Sequence, residues 1–229
     1  MTHHPFPHTL LPALAAIALA ASSSCSGQAR PGAGVSRPPS ARAGPGPVAK
    51  APASHQRPPP GGRSDPRYRP PADFSELRAV AGEVARASRR KIGWHVSPGK
   101  NPGPLVSIGG GLGNCTIYVH PVAARQVPPN TWAFLFGHEY AHLLEDLGDP
   151  SDTTPAKELR ADIAGARYAM AAGYRLDSFL GWVLTEPDAA SDSHGSLRKR
   201  VQAIATHFGI PQSAVQAQAR RYAKSPPPR

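Results

Sequence analysis

Apolar residues recur along this chain in helical and strand-like rhythms, and both begin only after residue 72. Phe74, Leu77, Val80, Ala81 and Val84 keep one side of a 3.6-residue period apolar, and Asp73-Phe-Ser-Glu76 has the form of a capping box. A helix is therefore expected from Phe74 to about Lys91. Two strand-like runs follow, 104–108 and 115–120, joined by the glycine-rich segment 109–114. They predict a β-hairpin with a loose loop, suited to serve as an edge strand, and the glycines lack the following helix that a phosphate cradle requires. Tyr118 and His120 would share a face of the second strand at i and i+2, packed in core or rim. Residues 131–147 are apolar on nearly all sides, with Asn130 or Thr131 as N-cap and Gly148 and Pro150 as stop signals, which predicts a buried helix. The next helix opens at Thr154 as N-cap with Pro155 in the first helical position, and ends near Gly173. Shorter helices are expected over 176–186, over 193–208 before Gly209, and over 211–223. The pattern predicts an α+β, mostly helical fold in a single domain over residues 72–223, with a small antiparallel sheet or hairpin beside the buried helix.

The first 71 residues read differently. Residues 9–21 form an apolar run too short to cross a membrane and of the length of an export-signal h-region, although no Lys or Arg precedes it. Ser22-Ser-Ser-Cys25 resembles a bacterial lipobox, so residues 1–25 are expected to be a signal peptide with Cys25 as candidate lipidation site; simple cleavage near residues 21–24 is the alternative. Residues 26–71 are rich in Pro, Gly, Ala and Ser, a composition that supports an extended, disordered tether but no core. Residues 224–229 make a disordered tail. Residues 1–71 carry eight basic residues and one acidic one, +7 of the net +11, which leaves +4 on residues 72–229. The basic balance thus belongs mainly to the tether and suits contact with anionic lipid or cell-wall polymer; no nucleic-acid-reading motif accompanies it. With Cys25 lipidated or removed, Cys115 has no disulfide partner and is expected to be a small buried strand residue.

The chemistry concentrates in His138-Glu-Tyr-Ala-His142, an HExxH pentad within the helix expected over 131–147. At i and i+4 the imidazoles of His138 and His142 fall on one side of the helix and can share a metal ion, with Glu139 beside it. A carboxylate there that is not a ligand can act as general base toward water, whose pKa zinc lowers to about 7. A catalytic zinc needs a third protein ligand. A metzincin would place Gly and His at the third and sixth positions after His142, where this chain has Glu145 and Gly148. Glu158, early in the next helix, is the leading candidate; Glu145, Asp146, Asp149 and Asp152 are rivals too close to the first helix to swing back easily. Asp162, one turn beyond Glu158, can receive the N–H of a ligating imidazole and fix its tautomer.

These blocks, Gly137–His142, then Lys157-Glu-Leu-Arg-Ala-Asp162 running to Ala171-Ala-Gly-Tyr174, then Ser193–Val201, resemble the HtpX, BepA and CAAX-prenyl-protease family of gluzincin peptidases over residues 130–208. The resemblance implies a zincin-like metallopeptidase domain with one zinc on His138, His142 and Glu158, and Glu139 as base. It also brings His194 and Arg200 near the site. His194 is either a donor to the oxyanion of the reaction or a helix-terminal residue beside Ser193, and Arg200 an ion-pair partner for a site carboxylate. The chain departs from the family at His194-Gly195, where members have His-Pro, in the short spacing from His142 to Glu158, and in lacking membrane helices around the site. The expected protein is an exported zinc endopeptidase of the periplasm or cell envelope, lipid-anchored through Cys25 and acting on proteins or peptides. A zinc-binding envelope module with a chaperone or interaction role and no hydrolysis is the alternative.

Overall fold

Asp73 accepts hydrogen bonds from the backbone N–H groups of Ser75 and Glu76, and the helix it caps, α1 (Phe74–Ala87), buries Leu77, Val80, Ala81 and Val84. It ends four residues before the expected Lys91, because Arg89 adopts a left-handed backbone at φ 55°. The computed structural model describes Tyr68 and residues 73–99, 105–145, 154–186, 188, 190–191 and 195–223. The signal, the tether, the tail, Cys25, His194, Asp146, Asp149 and Asp152 lie outside the described residues.

Three strands form the larger sheet: β1 (Trp94–Pro98), β2 (Val106–Gly111) and β3 (Asn114–Val119), in the order β1-β3-β2. The β2–β3 hairpin is antiparallel, but β1 runs parallel to β3 with Val96 opposite Ile117, so the sheet is mixed and not simply antiparallel. This places β3 in the centre, and the edge expected of the hairpin belongs to β2. The glycines are not a loose loop either. Gly109 to Gly111 continue β2, and Leu112-Gly113 make the turn. Gly110 has φ 93°, and a Cβ there would sit 2.4 Å from the Asn114 carbonyl oxygen, so only glycine fits. Tyr118 is 44% exposed while His120, just past the strand's end, is 4% exposed, so the two do not share a face. Cys115 is a buried free thiol whose pKa burial raises to about 11.

The inner face of the sheet packs Val96, Ile108 and Ile117 into one core with Leu77 and Val84 of α1 and with Trp132, Phe136 and Tyr140 of the next helix. That helix, α2 (Pro129–Leu144), starts earlier than expected, with Pro128 as N-cap and Pro129 at N1. Asn130 and Thr131 are buried inside it, so neither is the cap. Asn130 accepts from the Arg175 N–H at 3.1 Å and donates to Ser178 Oγ at 3.2 Å, a tertiary use of a side chain whose type suggested a local one. The helix stops at Leu144, three residues early, with Glu145 extended.

Helix α3 (Pro155–Ala171) begins as its sequence prescribes: Thr154 Oγ1 accepts from the Lys157 N–H at 3.4 Å and Pro155 stands at N1. Thr154→Ala should therefore lower stability by about 1 kcal/mol in urea unfolding. An unchanged midpoint would show the cap to be idle. Helices α2 and α3 cross at Gly137 and Gly165, where a Cβ on Gly137 would lie 2.5 Å from the Gly165 carbonyl oxygen.

A second cluster joins Phe134, on the other side of α2, to Phe179 and Leu180 of α4 (Leu176–Val183), Val201 and Ile204 of α5 (Leu197–His207) and Val215 of α6 (Gln212–Ala223). Helix α4 is three residues shorter than expected. Helix α5 is capped by Ser196, whose Oγ accepts from the Lys199 N–H, and not by Ser193. A two-residue ladder, β4 (Ala190–Ser191) with β5 (Gly195–Ser196), precedes it. The described residues thus form a mostly helical α+β fold with α2 between two apolar clusters. Among them, no helix is long and apolar enough to cross a membrane.

Candidate metal centre

Helix α2 has no polar side, since one cluster packs against Phe136 and Tyr140 and the other against Phe134. His138 and Glu139 are accordingly 3% and 0% exposed. Groups held so deep need partners from the surrounding protein, and those of His138 come from the neighbouring helix. The glycine crossing brings that helix close enough.

His138 Nε2 and His142 Nε2 lie 3.1 Å apart, and the Glu158 carboxylate closes the triangle at 3.3 Å from the first and 3.6 Å from the second. A tetrahedral ion bound at about 2.0–2.2 Å holds its ligand atoms roughly 3.3–3.6 Å apart. The three side chains therefore fit a divalent cation, and they are the one group of three or more His, Cys, Asp or Glu residues among those described that converges in this way. Glu145, the described rival, is exposed and accepts a hydrogen bond from the Tyr168 hydroxyl instead.

Behind the triangle, His138 Nδ1 stands 2.9 Å from Asp162 Oδ1, and Asp162 is gripped by Arg200 through two bonds of 2.7 and 2.6 Å. With Nδ1–H donating to the carboxylate, Nε2 keeps its lone pair for the triangle. Burial alone would lower the pKa of His138, but its hydrogen bonds to Asp162 and Glu158 raise it to about 10. Burial and then the His138 charge push His142 down to about 4. Burial opposes the Asp162 charge, yet Arg200 and His138 hold its carboxyl well below the usual carboxylate range. Without metal, the imidazole pair thus holds one proton more than two neutral rings, and a cation must displace it, so affinity falls as pH falls.

Glu139 faces the same region without taking part in the triangle. Both its oxygens are fully buried and have no hydrogen-bond partner among the described residues. A buried carboxylate without a hydrogen-bond partner is costly unless it serves a ligand or substrate. Burial is the main cause that raises its pKa to about 7.

The structure therefore brings together His138, Glu139, His142, Glu158, Asp162 and Arg200. One charge at the site escaped the sequence reading: Lys157 is 8% exposed and its charge bears on His142. Its only sequence signal is its place next to Glu158. Comparison with protein-family models, curated proteins and solved structures finds no match.

Proposed function

We propose that this chain is a zinc metallopeptidase of gluzincin type, built as a zincin-like domain and hydrolysing peptide bonds in proteins or peptides of the cell envelope. The observation that carries the reading is a buried, unbonded Glu139 beside three converging ligand atoms. His138, His142 and Glu158 would hold one zinc. When bound, zinc supplies Lewis acidity that polarises a carbonyl and acidifies water. Glu139 takes the proton of the attacking water and hands it to the leaving amide nitrogen. Asp162 keeps His138 in the tautomer that leaves Nε2 free. The edge of β2, the strand nearest α2, has no strand partner on its outer side among the described residues, and such an edge can bind an extended peptide by main-chain hydrogen bonds. Export and a lipid anchor at Cys25 rest on the N-terminal sequence, and detergent partitioning that persists in Cys25→Ala would refute the anchor.

Elemental analysis of the purified chain, set beside cleavage of an unfolded protein, tests the proposal. About one zinc per chain is expected, with cleavage lost on chelation and recovered on adding zinc. Chelation should also lower the unfolding temperature, since free zinc at a hundredfold excess over Kd stabilises by about 2.7 kcal/mol. Absence of stoichiometric metal overturns the proposal. Zinc without turnover would favour the non-hydrolytic envelope module.

A further inference from the structure

Arg200 reaches the metal centre from α5, an element that carries none of the three converging residues. It is 6% exposed in the first turn of the helix. Its Nε and Nη2 donate to Oδ2 and Oδ1 of Asp162, and Oδ1 is the oxygen that also faces His138 Nδ1. Two parallel bonds from a guanidinium fix the plane of a carboxylate, and that plane in turn fixes the rotation of the imidazole. The chain of contacts runs from Arg200 through Asp162 to His138, and ends at the Nε2 atom of the triangle. Arg200 also acts on Glu158, whose charge stabilises the guanidinium.

Charge supplies a second, independent reason. Glu139, Glu158 and Asp162 put three carboxylates in the interior, and Arg200 offsets one of them. Lys157, 8% exposed, offsets a second, so with neutral imidazoles these three carboxylates and two cations sum to −1. Without Arg200 the Asp162 carboxylate would stay buried without its charge-assisted partner.

We infer that Arg200 is a positioning residue for the metal: it holds Asp162 so that His138 presents Nε2, and its charge offsets that of the Asp162 carboxylate. This rests on the metal reading proposed above. The competing account is an interior ion pair that only ties α5 to α3, with no influence on the ion.

Four full-length chains separate the two: wild type, Arg200→Lys, Arg200→Gln and the double variant Asp162→Asn/Arg200→Gln. Zinc affinity is read by competition with a chromophoric chelator, site geometry by the visible spectrum of the cobalt(II) form, and fold by thermal unfolding of the chelated protein. Arg200→Gln should weaken zinc binding by about 10- to 100-fold and alter the cobalt spectrum. Arg200→Lys keeps the charge without the fork and should recover part of that loss. The double variant removes both charges, so it should regain the unfolding temperature that Arg200→Gln loses but not the zinc affinity. It therefore keeps the inference open to refutation even where the single variant fails to fold. A double variant that binds zinc as tightly as wild type, with the wild-type cobalt spectrum, overturns the inference and leaves the metal site standing. A wild-type chain that takes up no zinc overturns both, and is recognised from that chain alone.

Discussion

Glu139→Gln is expected to lower peptide cleavage by about 10²–10⁴-fold while leaving the zinc content unchanged. Glutamine has nearly the same shape, and Glu139 is not one of the three converging residues, so the triangle of His138, His142 and Glu158 should survive. What disappears is the group that accepts a proton. Burial raises the Glu139 pKa and a zinc ion beside it would lower it again, so the wild-type rate should climb with pH on the acid side of neutrality as the carboxylate ionises, and the variant's residual rate should not follow it. The same shift sets the sign of a stability effect. The folded pKa lies above the ordinary 4.5, so the ionised carboxylate costs stability increasingly as pH rises from about 4.5 to 7. The chelated variant should therefore unfold at a higher temperature than chelated wild type at neutral pH. A variant that cleaves at the wild-type rate with zinc bound would remove Glu139 from the chemistry.

Gly165→Ala is expected to damage both stability and metal binding, although it adds one methyl group and alters no charge. A Cβ at Gly165 would lie 2.4 Å from the His138 backbone nitrogen and 2.7 Å from the Gly137 carbonyl carbon. Backbone on the facing helix cannot turn aside as a side chain could, so α2 and α3 must separate. Overpacking of this kind costs about 1–3 kcal/mol, and the cost should lie at the upper end here. His138 and His142 ride on one helix and Glu158 and Asp162 on the other, so the separation also opens the triangle. Urea unfolding and zinc competition would measure the two losses together. Gly111→Ala is the control, since its Cβ would meet nothing within 4 Å. Wild-type zinc affinity in Gly165→Ala would show that the close crossing does not set the site.

Much of the local structure was legible because short-range rules govern it. Thr154 and Pro155 announce the start of α3, and Asp73 that of α1, since caps depend on residues two or three apart. Other boundaries are decided at longer range. Asn130 and Thr131 have capping chemistry, yet tertiary packing buries both and puts Asn130 to work on Arg175 and Ser178. Strand β1 escaped because Trp94-His-Val-Ser-Pro98 has one fully buried residue and no turn that links it to a neighbour. Its partner lies parallel across the chain, and no local signal reports a parallel pairing.

By itself the sequence determined the components of the centre. The i, i+4 spacing of His138 and His142, and of Glu158 and Asp162, follows from helical period alone, because each pair sits on one continuous helix. Only the tertiary structure decided that the two pairs meet, since contact between α2 and α3 depends on two glycines, Gly137 and Gly165, that let backbone approach backbone. It also decided that Glu139 is buried with no hydrogen-bond partner among the described residues and that Arg200 grips Asp162 from a third helix. Burial and the joining of distant helices are properties of the packed core, and residue spacing carries no measure of either.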